Sequence, residues 1–310
     1  MNMTAISAKA IINCSLTQTE QQLISDTITR LGRAMMTESA HGYRAGSNET
    51  ILAAAKRGVE NYTKNSQSSS AIAIMDVILA ANRDYNKQVA KNVERMRQLY
   101  PGLTIKQLAV MTKGAGTAKK FKDVWGHNDD KKFQTLKAVL AVFIPRLRNT
   151  DKPDEDFRVM SEWAANVQLP AMYQDPVGVL PNIGIATFQH LRMNFGANTV
   201  KPDRRVKEVL KREFNLRLSD EKSILVVERM AEIEKATPLL IDQIFVKYGS
   251  GHYRAHSDAV RSAVEGIVRN LKRMRMPAAQ IAKVTGWSLN DIESVSHPAQ
   301  ELLATRKADL

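Results

Sequence analysis

Leu180-Pro181-Asn182-Ile183-Gly184-Ile185-Ala186-Thr187 reads as a tight turn running into a helix that ends near Phe195 and Gly196. Pro181 fixes one backbone dihedral, and Gly184 lets the chain approach a ligand closely. The helix that follows starts with free N–H groups and a partial positive charge, so a phosphate is a natural occupant of the turn. An ordinary helix-to-helix turn has the same short pattern, and the neighbouring residues are needed to choose between the two.

Lys-Pro-Asp-Arg-Arg-Val follows, with Asp203 sixteen positions after Thr187 and directly before a basic helix spanning Arg204 to Phe214. That helix carries Arg204, Arg205, Lys207, Lys211 and Arg212 against Glu208 and Glu213, a face suited to phosphate contact or simply to solvent. Asp203 itself is well placed to cap the helix.

Leu-Pro-x-Ile-Gly, an amphipathic helix, a glycine turn and an aspartate at this distance together resemble the helix-hairpin-helix superfamily of DNA glycosylases, which includes endonuclease III. Upstream, Ile74 to Val93 is similar to the family segment in which a polar residue fills the gap left by a flipped base, and Asn82 stands at that residue. Tyr100-Pro101-Gly102-Leu103-Thr104, within Leu99 to Leu108, resembles the next helix-turn, and Val124 to Leu136, with Gly126, His127 and Lys131, the one after. The resemblance covers about residues 71 to 215, roughly half of the chain. It implies an all-α, two-lobed fold around a cleft: a glycosylase-like domain over 1–250, with one lobe near 71–195 and the other from 1–70 and 196–250. It also implies Leu180, Pro181, Asn182, Ile183, Gly184, Ala186, Thr187, Arg204 and Arg205 as DNA contacts, and Asp203 as the catalytic residue.

Three departures qualify the match. Members with lyase activity carry a lysine two positions after the second hairpin glycine, where this chain has Ala186. Schiff-base chemistry needs an amine there, so the resemblance implies an enzyme that removes a base without cutting the strand; a lysine from elsewhere, such as Lys201, is the alternative. Asn182 replaces the first hairpin glycine and can adopt the same left-handed conformation. The C-terminal four-cysteine cluster of some members is missing.

Cleavage of an N-glycosidic bond develops positive charge on the deoxyribose, and a carboxylate beneath the sugar stabilises that charge and orients water. No metal or cofactor is needed. Tyr85, Trp125, His127 and His190 are candidates to line a base pocket, although Trp125 is equally suited to a core and His190 lies inside the hairpin helix. A non-catalytic protein that uses the hairpin only to dock on DNA fits the same residues, with Asp203 as cap alone.

Composition agrees with a polyanionic partner. Lys plus Arg number 45 against 32 acids, a formal charge of +13, with a pI near 9.8. A single cysteine, Cys14, excludes intrachain disulfides and multi-cysteine metal centres. With no leader-like N-terminus and no run of about eighteen apolar residues, a cytoplasmic, nucleoid-associated monomer bound to double-stranded DNA and to no membrane is expected.

Helical spacing dominates elsewhere, as in Ile51, Leu52, Ala55 and Val59. The sequence predicts helices over Ala71–Ala81, Lys87–Leu99, Thr104–Val110 with a capping box, and Lys131–Phe143 stopped by Pro145. Interruptions are expected at Asn65–Ser70, Asn149–Asp156 and Tyr248–His252. Over 251–310, Gln-Ile-Ala-Lys-Val-Thr-Gly-Trp-Ser-Leu-Asn-Asp-Ile resembles a bacterial helix-turn-helix. Gly286 would make its turn, Ser288 its cap, and Ile281, Ala282, Val284, Leu289 and Ile292 its packing. Asp291 and Glu293 make its second helix a poor groove reader, and a purely packing role is the alternative.

Overall fold

The computed structural model describes residues 6–36, 49–148, 151–251, 253–254, 258–285, 287 and 289–295. The described residues are all-helical in their regular structure apart from a two-residue antiparallel pair, β1 (Met35–Met36) with β2 (Tyr253–Arg254). The helices before the hairpin are α1 (Ala8–Ile12), α2 (Gln18–Arg33), α3 (Ile51–Glu60), α4 (Lys64–Ser68), α5 (Ser70–Ala80), α6 (Ala90–Leu99), α7 (Ile105–Ala115), α8 (Ala118–Trp125), α9 (Asp130–Phe143) and α10 (Pro153–Asn166). After it come α11 (Ile185–Asn194), α12 (Arg204–Phe214), α13 (Asp220–Ile233), α14 (Pro238–Gly249), α15 (Asp258–Arg273), α16 (Ala278–Thr285) and α17 (Leu289–Ser294).

The chain divides into two compact units, Met1–Thr27 with Ala55–Ser250, and Ile28–Ala54 with Gly251–Leu310. One division between the units follows residue 250. Residues 28–54, expected in the N-terminal domain, group instead with the C-terminal segment.

In the first unit α5 is apolar on nearly every side, Asp76 being its one charged residue, and a helix of that kind must be buried almost all round. It packs against α6, α7, α9, α10 and α11, with Ile72, Ile74, Met75 and Val77 almost fully enclosed. Ser69 caps it by accepting from the Ile72 N–H at 3.2 Å, and its hydroxyl donates to the Leu103 carbonyl at 2.6 Å. The expected capping box is present at α7: Thr104 accepts from the Gln107 amide, and the Gln107 side chain accepts from the Thr104 amide at 3.2 Å. Pro145 ends α9 in one turn of 3-10 helix, Ile144–Arg146, and Pro153 opens α10.

Two local expectations are corrected. Asn65–Ser70 is not a simple break, since Lys64–Ser68 is helical and only Ser69 interrupts. Ser66 is buried there and donates to the carbonyls of Thr63 and Asn194, so the polarity of this run serves internal bonds rather than solvent. The helix expected from Lys87 begins as a π-turn over Tyr85–Val89, capped by Asp84, before α6 proper.

Also in the first unit, α12, α13 and α14 pack on one another, and α1 packs on α13. The α12 helix buries Val206, Val209, Leu210 and Phe214 and turns its charged residues outward, ending on Asn215 at φ 56°.

In the second unit Val268, Ile281, Trp287, Ile292 and Val295 form a small core, with Ala282 against it. Val284 and Leu289, expected in that core, are 68% and 50% exposed. Trp287, from the connection between α16 and α17, fills the space instead. Gly286 and Ser288 lie outside the described residues, as do Asn149, Thr150 and His252.

Candidate functional site

The turn into α11 is built from its flanks. Asp175 accepts from the Val177 amide at 2.8 Å and the Gly178 amide at 3.2 Å through one oxygen, and from the Trp163 indole at 3.1 Å through the other. Gly178 sits so close to the Met172 backbone that a β-carbon could not be placed there without displacing it. The arm preceding the turn is thus 3-10 helix and turn, Leu169–Gln174 and onward, rather than a second α-helix. Ile183 is buried and Leu180 packs on the same core, leaving Pro181, Asn182 and Gly184 exposed.

Asn182 takes φ 67°, the left-handed conformation in which it stands in for glycine. Its side-chain amide donates to Thr135 Oγ1 at 3.1 Å, and that hydroxyl reaches the Pro181 carbonyl at 3.3 Å. Gly184 has an ordinary φ of −87° and makes no side-chain cap. A β-carbon there would meet nothing within 4 Å, so neither strain nor protein packing requires glycine at this position. Ala186 and Thr187 fall in the first turn of α11 and are half-buried.

Asn82 is exposed at φ 57°, two residues past the end of α5. The carbonyls that end α5 are gathered by the Lys132 ammonium, which donates to Ile78 at 2.6 Å and Ala81 at 2.7 Å. Burial, with Arg83 nearby, lowers the Lys132 pKa to about 8. Arg83 bridges Gln88 and Asp129, each at 3.2 Å, and Asp129 in turn caps α9. Asn82 and Asn182 line one cavity of about 210 Å³ together with Arg83, Lys131, Lys132 and Thr187. The residue expected to fill the flipped-base gap and the hairpin therefore share a site.

Asp203 caps α12 as the sequence suggested. Its Oδ1 accepts from the Arg205 amide at 2.9 Å and the Val206 amide at 3.2 Å, while Oδ2 lies 3.7 Å from the Lys201 ammonium. The carboxylate is held rigidly yet remains 23% exposed. Arg204 is exposed and paired with Glu208 at 2.7 Å, and Arg205 is half-buried.

Around Asp203 stand Asp242, Asp76 and Tyr62, which the sequence reading did not single out, and His190 and Tyr85, which it did. Asp242 is buried in α14 and accepts from the Lys201 amide at 3.0 Å, which fixes the segment leading to Asp203. Burial, with the Asp203 charge nearby, pushes its carboxyl up to about 7. Asp76 accepts from the Tyr85 hydroxyl at 3.1 Å, lies 3.8 Å from Arg97, and is raised by burial. Burial and the charges of Asp242, Asp203 and Asp76 hold the Tyr62 phenol well above its ordinary value. Burial, with Lys201 nearby, holds His190 well below its own. Tyr62 and His190 thus stay neutral, and both are fit to donate or accept hydrogen bonds.

The candidate base-pocket residues separate. Tyr85 joins Asp76 and so belongs to the group around Asp203. His127 lies by Arg83 on the hairpin side, its Nδ1 buried without a partner and its pKa lowered by burial. Trp125 resolves to the core: it is fully buried, edge-on to Phe121 at 5.4 Å, and its indole donates to the His127 carbonyl at 2.6 Å. A signal for the missed acids existed, because Asp76 and Asp242 are each the lone carboxylate of a largely apolar helix.

Among the described residues no group of three or more His, Cys, Asp or Glu could hold a metal ion, and no helix is long and apolar enough to cross a membrane. In comparisons with known proteins, no family model, no curated sequence and no solved structure matches this chain.

Proposed function

We propose that this protein is a monofunctional DNA glycosylase that turns a modified base out of duplex DNA and hydrolyses its N-glycosidic bond, leaving an abasic site. The observation that carries the proposal is the division of labour within one carboxylate. Asp203 Oδ1 is committed to the helix, while Oδ2 lies beside Lys201 and the side chain remains 23% exposed, sixteen residues beyond Thr187 in the first turn of α11.

In the reaction, the bond from the sugar C1′ to the base nitrogen breaks, and the base leaves with the electron pair. Asp203 stabilises the cationic sugar, and water adds to C1′ as its proton passes to the carboxylate. Ala186 offers no amine for a Schiff base, so the strand stays intact. The turned-out base must be lost from the stack at a cost of a few kcal/mol, smaller for a damaged or mispaired base. A cytoplasmic monomer acting at the nucleoid, in base-excision repair or against phage DNA carrying modified bases, fits this chemistry and the net charge.

A second reading, a docking module without catalysis, is favoured by one observation: the two capping bonds give Asp203 a sufficient structural reason to be present. The two readings separate on incubation with a panel of genomic DNAs, including phage DNA with modified cytosines, and mass spectrometry of the supernatant. Release of a free base from any of them supports the enzyme, and release from none supports the docking module.

A further inference from the structure

We infer that Gln189, Thr199 and Glu228 are positioning residues for Asp203, clamping the extended segment 197–203 that delivers its carboxylate. The inference rests on the glycosylase reading and deepens it, because it gives these residues a share in the proposed reaction.

The segment has to be held from outside. After α11 the chain turns at Gly196, φ 97°, and from Ala197 to Asp203 it belongs to no helix or strand. Ala197, Thr199, Val200 and Pro202 are nevertheless buried. Polar groups in a buried stretch without a ladder must find side-chain partners.

Three helices supply them. Asn198 Oδ1 accepts from the Leu239 amide in the first turn of α14 at 3.1 Å, and the Lys201 amide donates to Asp242 of the same helix at 3.0 Å. Between these two, the Thr199 hydroxyl accepts from the Gln189 side-chain amide of α11 at 3.0 Å and donates to Glu228 of α13 at 3.1 Å. Behind Gln189 stands Arg192, which donates to Gln189 Oε1 at 2.7 Å and to the Ala164 carbonyl of α10 at 3.3 Å.

Arg192, Gln189, Thr199 and Glu228 form one directed chain. Guanidinium donates to amide oxygen, amide nitrogen to hydroxyl, and hydroxyl to carboxylate, so every bond points from the cation to the anion. Bonds aligned in this way polarise one another, and burial of Gln189, Thr199 and Arg192 strengthens them. A fixed charge at each end leaves the Gln189 amide and the Thr199 hydroxyl a single orientation. Burial pulls the Arg192 guanidinium below its ordinary value and pushes the Glu228 carboxyl above its own. Charges held out of water add little net stability over apolar packing, so the contribution of this chain is orientation.

The path from the clamp to the carboxylate is short. Thr199 lies four positions before Asp203. Lys201 has its amide fixed by Asp242, its carbonyl accepting from the Asp203 amide at 2.7 Å and its ammonium 3.7 Å from Asp203 Oδ2. Pro202, between them, has its own φ fixed by its ring. A shift of about 1 Å at a reacting group can cost about a hundredfold in rate, which is what the clamp prevents.

The test uses the full-length protein and Thr199→Val, which keeps the shape and removes both bonds, beside Thr199→Ser, which keeps the hydroxyl. In Thr199→Val single-turnover base release should fall by about tenfold or more with duplex affinity unchanged, and Thr199→Ser should restore most of it. Glu228→Gln, a milder change that keeps an acceptor and removes the charge, should show the same pattern at smaller amplitude. In an Asp203→Asn background Thr199→Val should cost nothing further, because its effect passes through that carboxylate. A lowered melting temperature with release by the folded protein unchanged overturns the inference, as does equal slowing in both backgrounds. A second arm needs no base release. Hydrogen exchange at the Arg205 and Val206 amides, both held by Asp203 Oδ1, should quicken in Thr199→Val and recover in Thr199→Ser, while the Lys132 amide, held by Asp129 in α9, keeps its rate. Unchanged exchange at Arg205 and Val206 overturns the clamp whatever the DNA result. Quickened exchange in a protein whose wild type releases no base from any DNA defeats the glycosylase reading and leaves the clamp on Asp203 standing.

Discussion

The Lys201 ammonium lies 3.7 Å from Asp203 Oδ2, on the side of the carboxylate that α12 does not use. A lysine in that position can act in two ways. It can hold the carboxylate aimed at the substrate, or it can itself attack C1′ of an abasic sugar. The proposed function takes the first.

Borohydride trapping on DNA containing an abasic site decides between these roles. No covalent protein–DNA adduct is expected, and strands should break only after alkali or heat. An adduct lost in Lys201→Gln would make Lys201 a Schiff-base nucleophile and the enzyme a lyase.

Neither strain nor packing requires glycine at 184, so the role of Gly184 is to be read from binding. Gly184→Leu should cost about 1 kcal/mol of stability, since Gly184 is the N-cap of α11 and leucine is a poorer cap, and should leave the fold intact. Duplex binding should weaken clearly, because the added side chain occupies the approach to the α11 N-terminus. Wild-type affinity in this variant would remove the hairpin from the interface.

Asn82→Gly keeps the left-handed turn and removes the side chain. If Asn82 fills the gap left by the flipped base, release from a paired duplex should slow by about tenfold, or 1.4 kcal/mol. Release from the same base in single-stranded DNA should change little. Equal slowing on both substrates would point to a damaged turn rather than a lost wedge.

How far the sequence could lead depended on whether a feature is local. Asp203 as the cap of α12, the Thr104–Gln107 capping box and left-handed Asn182 follow from backbone chemistry within a few residues, and all three were legible. Trp125 could not be assigned between core and pocket, because Phe133, which covers it, lies on α9 and reaches it only in the packed helices. Val284 and Leu289 follow the apolar spacing but lose their places to Trp287, a competition that periodicity does not register. Asp242 and Lys201 are forty-one residues apart, and no local pattern announces that the first fixes the backbone of the second.

Asp242 gives a prediction in pH. Its folded-state pKa of about 7 lies above the ordinary carboxylate value, so the folded protein holds the proton more tightly than the unfolded chain. Its effect on stability is therefore unfavourable as pH rises from the ordinary carboxylate range through about 7, and constant beyond. Asp242→Asn removes that dependence while keeping an acceptor for the Lys201 amide. Thermal melting of both proteins from pH 5 to pH 8 should show the variant gaining on the wild type as pH rises. A constant difference would mean that Asp242 is ionised in the fold throughout.

The most direct measurement is single-turnover base release by Asp203→Asn on a DNA that the wild type processes. Asparagine retains an oxygen for the Arg205 and Val206 amides, so fold and duplex binding should persist, as checked by melting and by affinity. It can neither neutralise a developing cation nor accept a proton from water. Release should therefore fall by two orders of magnitude or more, about 3 kcal/mol of transition-state stabilisation. Release at the wild-type rate by a folded, DNA-bound Asp203→Asn protein would contradict the assignment and leave Asp203 as a helix cap.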